Sequence, residues 1–131
     1  MGGAPAVISV ELDLPDGVRV QRTAAGLVAT APGMLLTVTS EPAVADAARS
    51  AHEAVEAHLA HLPAAQLIDA AAAPPDGMRI LLHHAGEQGA TCLEEWRFVR
   101  GGRLMTLAFQ CATPAYDALA DTAAAAAASL R

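Results

Sequence analysis

The chain's only two cysteines, Cys92 and Cys111, bracket the segment CLEEWRFVRGGRLMTLAFQC. A pair of thiols can form a disulfide, ligate a metal, do redox chemistry or fill an apolar core. Gly101 and Gly102 fit the type I′ turn of a β-hairpin, which needs positive φ at both central residues. Counting outward from that turn, Arg100 faces Arg103, Phe98 faces Met105, Trp96 faces Leu107, Glu94 faces Phe109 and Cys92 faces Cys111. Side chains alternate along a strand, so these residues share one face. Apart from Glu94 that face is strongly apolar, which makes it the core face. In this register the cysteines are a hydrogen-bonded pair with Cα atoms about 5.5 Å apart, within disulfide range. A bridge across a closed hairpin removes little loop entropy, and cytosolic proteins seldom keep structural disulfides. Reduced, buried thiols are the expected state; a disulfide and a reactive or metal-binding role are the alternatives.

Glu94 is the polar exception on this face. A buried carboxylate needs a partner, or its charge is disfavoured. Arg79, on the preceding strand, is the candidate. Read functionally, Glu94, Arg79 and the strand histidine His84 form a ligand or acid–base set; read structurally, Glu94 and Arg79 form an ion pair at the sheet margin. His83 and His84 are consecutive on a strand and point to opposite faces, so they cannot share an ion. His52, His58 and His61 fall on a helix, where HEAVEAH is not the H-E-x-x-H pattern of zinc proteases. His58 and His61 are three residues apart, but no third ligand is evident, and all three read as solvated. There is no C-x-x-C, no G-x-S-x-G and no glycine-rich phosphate loop. The sequence therefore implies no catalytic residue, no cofactor and no metal.

The opposite hairpin face carries Leu93, Glu95, Arg97, Val99, Leu104, Thr106, Ala108 and Gln110. It reads as largely wet but not wholly polar. Leu93, Glu95, Arg97, Val99, Leu104 and Ala108 are its candidate partner-binding residues. Arg97, Arg100 and Arg103 near the tip read as solvated, with an acidic partner as the alternative.

The elements that must position these groups follow from periodicity. Ile8, Val10, Leu12 and Leu14 alternate with polar residues, which predicts a strand over Val7 to Pro15, ended by the turn Pro15–Gly17. Short strands follow in VRVQRT, LVATAP and GMLLTVTS, forming an antiparallel meander. From Ser40 the period changes. Val44, Ala48, Ala51, Val55, Leu59 and Leu62 predict a helix of roughly 20 residues ended before Pro63, with Asp46, Arg49, Glu53 and Glu56 on its solvated side. A short strand around Gln66 to Ala71, the PPDG turn, a strand in MRILLHH and the cysteine hairpin come next. Thr113 as N-cap and Pro114 at the first helical position open a last helix, with Tyr116, Leu119 and Ala123 on its buried stripe. No repeat or linker divides the chain, so residues 1–131 are one domain, of the α+β class: an antiparallel sheet packed against two main helices.

The 131 residues include no Lys and no Asn and have a formal net charge of −6. The absence of a basic patch argues against nucleic acid and an anionic membrane surface. The amino terminus lacks a basic region and an apolar run long enough for a signal peptide, and no segment reaches the ~18 apolar residues of a membrane span. A cytoplasmic protein without membrane insertion is expected.

Trp96 and Phe98 in EEWRFVRGGRLMTLAFQC, followed by Thr113, Pro114, Tyr116 and Asp117, resemble the Mog1/PsbP-like superfamily, in particular bacterial DUF1795-type and LpqN-like proteins. Those proteins have a tryptophan-bearing strand, a glycine turn, an LTF-like strand and a tyrosine at the start of the last helix; LMTLAF stands in that place here. The resemblance implies an antiparallel sheet covered by helices and a role in binding proteins, with no catalytic residue carried over. The expected function is a non-enzymatic protein-binding, chaperone or adaptor-like domain linked to secretion or complex assembly, its partner another protein or a second copy in a homodimer. The alternative is a small-ligand binder or enzyme using Glu94 with a strand histidine.

Overall fold

The computed structural model describes residues 10–73 and 76–131. Its elements are β1 (Arg19–Arg22), β2 (Gly26–Ala31), β3 (Met34–Pro42), α1 (Ala47–His61), β4 (Gln66–Ala73), β5 (Gly77–Gly86), β6 (Gly89–Arg100), β7 (Arg103–Ala112), a 3-10 turn (Thr113–Ala115) and α2 (Tyr116–Ser129). The strands form one seven-stranded sheet in the order β1-β2-β3-β7-β6-β5-β4, antiparallel throughout. The expected α+β class and element order hold. The two helices lie on opposite faces of the sheet. Trp96, Phe98, Met105, Leu107 and Phe109 pack with Ala123, Ala126 and Ala127 of α2, while Ile80 and Leu82 pack with Ala51, Ala54 and Val55 of α1.

The cysteine hairpin has the expected register. Gly101 and Gly102 have φ of 57° and 76°, Arg100 pairs with Arg103, and every inferred pair out to Cys92 with Cys111 is present. Trp96 is 5% exposed and Phe98 3%. The second hairpin face is not wet, because α1 packs over β4, β5 and β6. Leu93, Glu95 and Leu104 are buried there.

Three local expectations need correction. Val7 to Ser9 lie outside the described residues, and from Val10 to Pro15 there is no strand. The alternation itself holds: Val10 is buried and Leu12 and Leu14 pack on the core. The segment is tied instead by Glu11 N–H to the Arg131 carbonyl at 3.0 Å and Arg131 N–H to the Glu11 carbonyl at 2.8 Å. The first helix begins at Ala47, capped by Asp46 Oδ1 accepting from Arg49 N–H at 2.8 Å. Val44 therefore precedes the helix and is 97% exposed, and Leu59 on the helix flank is 45% exposed; Ala48 is also exposed. Thr113 does not cap α2, which has no side-chain cap. Its hydroxyl oxygen accepts from the Cys92 thiol at 3.7 Å.

Gly26 is required for close approach. A Cβ there would lie 1.9 Å from the Val38 carbonyl oxygen. At Gly33, φ is +80° but nothing lies within 4 Å of that position. Gly26→Ala is expected to lower the unfolding free energy by about 3 kcal/mol through overpacking, and Gly33→Ala by about 1 kcal/mol through backbone strain alone. Urea unfolding of the two variants checks this; equal losses would contradict the tight β2–β3 approach.

Candidate functional site

Consecutive residues of a strand point to opposite faces, so Glu94 and Glu95 enter different layers. Each becomes the centre of a polar cluster inside an otherwise apolar packing.

Glu94 faces α2 and is 2% exposed. Arg79 on β5 lies opposite Trp96, on the same face, and its Nε donates to Glu94 Oε2 at 2.6 Å. Its Nη2 also contacts that oxygen and donates to the Tyr116 hydroxyl at 3.2 Å. Tyr116, the first residue of α2, donates to Glu94 Oε2 at 2.8 Å. Asp69 of β4 accepts from Arg79 Nη1 at 2.9 Å. Among the described residues Glu94 Oε1 has no hydrogen-bond partner. Burial works against the Arg79 charge, but the hydrogen bonds to Tyr116 and Glu94 and the Glu94 charge outweigh it and raise its pKa. Burial, reinforced by Glu94, pushes the Tyr116 phenol up as well. Tyr116 is therefore a neutral donor and Arg79 a fixed cation at physiological pH.

The thiols belong to the same layer. Both are free and buried. Burial pushes Cys111 up to about 11, with Cys92 and Glu94 adding to the shift. Burial also raises Cys92, against the Thr113 hydrogen bond and with the charges of Glu94 and Asp117. A nucleophilic or metal-binding cysteine needs a lowered pKa; these two are shifted the other way.

Glu95 faces α1 and is 4% exposed. His58 Nε2 donates to its Oε2 at 2.6 Å. Arg97 donates to its Oε1 from Nε at 3.0 Å and Nη2 at 2.8 Å, and from Nη1 to Ser50 of α1 at 3.1 Å. His58 is thus not a solvated helix residue: it is the helix's contact to the sheet. Burial would raise the Glu95 pKa, but the His58 hydrogen bond and the Arg97 charge outweigh it and hold it below the ordinary value of 4.5.

The expected sites are rearranged accordingly. Glu94 and Arg79 converge, as anticipated. His84 does not join them: it pairs with Thr91, on the α1 side, and its Nδ1 is buried without a partner among the described residues. Of the expected partner surface, Leu93, Glu95 and Leu104 are covered, and Arg97 is held in its ion pair. Val99 and Ala108 stay half-buried. The tip arginines are engaged internally: Arg100 with Asp76 at 3.0 Å and the Leu130 carbonyl at 2.9 Å, Arg103 with Ser40 at 2.9 Å. No group of three His, Cys, Asp or Glu among the described residues can hold a metal ion. Asp69, Tyr116, His58 and Ser50 were not singled out from sequence as members of either cluster. The signal was present in part, since an α1 stripe of Ala51 and Val55 needs a sheet face to cover.

Among the described residues no helix covers the rest of the α1-side sheet face. Beyond β6 it is built from Thr106, Ala108 and Gln110 of β7, Leu35 and Thr37 of β3 and Val28 of β2, all half-buried. No helix among the described residues is long and apolar enough to cross a membrane.

No family model matches the chain, and no curated protein does. Solved structures show its fold. LpqN of Mycobacterium tuberculosis, involved in cell envelope biogenesis, superposes with a TM-score of 0.69 at 13% identity, covering 93% of this chain and 82% of that one. The cyanobacterial PsbP (CyanoP) of Synechocystis sp. PCC 6803 gives 0.63 at 14% identity, covering 100% of this chain and 96% of that one. PA94 of Pseudomonas aeruginosa, a protein of unknown function, gives 0.61 at 12% identity, covering 92% and 81%. The chain shares the fold of these structures, an antiparallel sheet with two helices, which its strand and turn motifs suggested.

The lowered Glu95 pKa makes a signed prediction. Its stabilisation is fully present above the unfolded carboxylate pKa, near 4.5, and is lost as pH falls through the lower folded value. Glu95→Gln is expected to be less stable than wild type at neutral pH and to converge on it under acid. Urea unfolding across an acidic pH series checks this; a constant difference at every pH would contradict it.

Proposed function

We propose that this chain is a non-enzymatic protein-binding domain of the chaperone or adaptor kind, serving complex assembly or secretion in the cytoplasm, and that its kin are the DUF1795-type and LpqN-like proteins. The observation that carries this reading is the contrast between spent charges and an open sheet face. Glu94 pairs with Arg79 and Glu95 with Arg97 between sheet and helix. The face of β2, β3 and β7 beside α1, with Val99 and Arg97 at its border, has no helix over it among the described residues. Its side chains (Val28, Leu35, Thr37, Ala108) are small, β-branched or apolar, which suits contact with a protein surface more than charge recognition. The free, buried thiols fit a reducing compartment. The alternative enzyme or ligand site has no support from His84, which lies on the other face from Glu94.

The test is co-purification from the native host with chemical crosslinking and mass spectrometry, using wild type and the double variant Thr37→Arg, Ala108→Arg. Both substitutions leave the two polar clusters untouched. A protein recovered with wild type is expected to be reduced at least about tenfold with the variant, equivalent to about 1.4 kcal/mol of binding. Undiminished recovery by a folded variant would overturn the assignment of this face.

A further inference from the structure

The two edges of the sheet are built differently. β1 is four residues long and carries Arg19 and Arg22; short, charged edges discourage pairing with another chain. β4 is eight residues long, with sequence QLIDAAAA and every residue from Gln66 to Ala72 exposed. Among the described residues it pairs only with β5. Its outer side thus presents main-chain donors and acceptors that no strand among the described residues meets. Its one charge, Asp69, is bonded to Arg79 of the same molecule.

Apolar side chains gather along this edge. Leu67 is 42% exposed, Ile68 48% and Leu59 of α1 45%. Ser50 and His58, on one flank of α1, meet Arg97 and Glu95 of β6. α1 also packs on β4. The edge is therefore long and largely apolar, with Asp69 its one charged residue.

We propose that β4 is a homodimer interface, pairing antiparallel with β4 of a second copy about a two-fold axis through Ala70. Two features favour a second copy as the occupant. The sheet is antiparallel throughout, and an antiparallel edge pair is the arrangement a two-fold axis generates. From Asp69 to Ala73 the side chains alternate without interruption: Ala70 and Ala72 point with their β5 partners Ile80 and Met78 towards α1, Asp69 and Ala71 with Leu81 and Arg79 towards α2. An axis through Ala70 places Asp69 opposite Ala71 of the partner subunit, so each residue meets one from the same face and no like charges face each other. The irregularity between Leu67 and Asp69 limits regular pairing to the segment from Ile68 to Ala72. An interface of that length falls below about 1,200 Å² in total, so the dimer is reversible. This inference goes beyond the proposed function and uses another surface; its failure leaves that function untouched.

The test is sedimentation velocity of the full chain over a wide concentration range. Three variants accompany wild type: Ile68→Lys and Ala70→Lys on β4, and Val20→Lys on β1. All three positions are exposed, so folding is retained and checked by circular dichroism. Wild type and Val20→Lys are expected to shift with concentration towards twice the 13.3 kDa chain mass, while both β4 variants stay monomeric. A wild type that is monomeric throughout would overturn the proposal, including one that binds an added extended peptide at β4. A dimer that persists in both β4 variants would overturn it equally.

Discussion

The turn at Gly101–Gly102 is the constraint on which the rest of the structure depends. Its two left-handed residues leave no slack between β6 and β7, so the pairing of Arg100 with Arg103 dictates every pair beyond it. The side-chain period of a strand is two, so a slip of one residue would exchange the faces completely. Trp96 and Phe98 would move out of the α2 layer, and the two consecutive glutamates would trade layers.

Those glutamates explain how one sheet holds a helix on each side. Neither helix is strongly hydrophobic. α1 buries only Ala51, and α2 buries Ala123, Ala126 and Ala127. Alanine faces give close approach but little apolar area, so directional contacts carry more of the positioning. Glu94, through Arg79 and Tyr116, fixes the start of α2. Glu95, through Arg97, His58 and Ser50, fixes α1 at two points along its length. Breaking a buried pair by removing one partner leaves an uncompensated charge, at a cost of about 3–5 kcal/mol; each cluster is thus a condition for its helix to lie as it does.

The hairpin was legible because one rule, alternation counted from a fixed turn, sets all its contacts. The Glu94–Arg79 pair was legible because a carboxylate on an apolar face demands a cation, and Arg79 stands on the adjacent strand. The Glu95 cluster was not, because the face that holds it was read by itself as wet. Leu93, Leu104 and the small stripe of α1 are each too weak to announce burial; only their docking shows it. The misplaced start of α1 has a local cause. Val44 and Ala48 fit the helical period, but the Asp46 side chain takes the Arg49 N–H and begins the helix after Val44. His84 does not join Glu94 because its register opposite Thr91 puts it on the other face.

The most direct test of this account is native-state hydrogen exchange in Glu94→Gln and Glu95→Gln compared with wild type. If each carboxylate anchors its own helix, Glu94→Gln accelerates exchange in the first turns of α2 and leaves α1 protected, and Glu95→Gln does the reverse. Equal acceleration of both helices in either variant, or of neither in both, would contradict it.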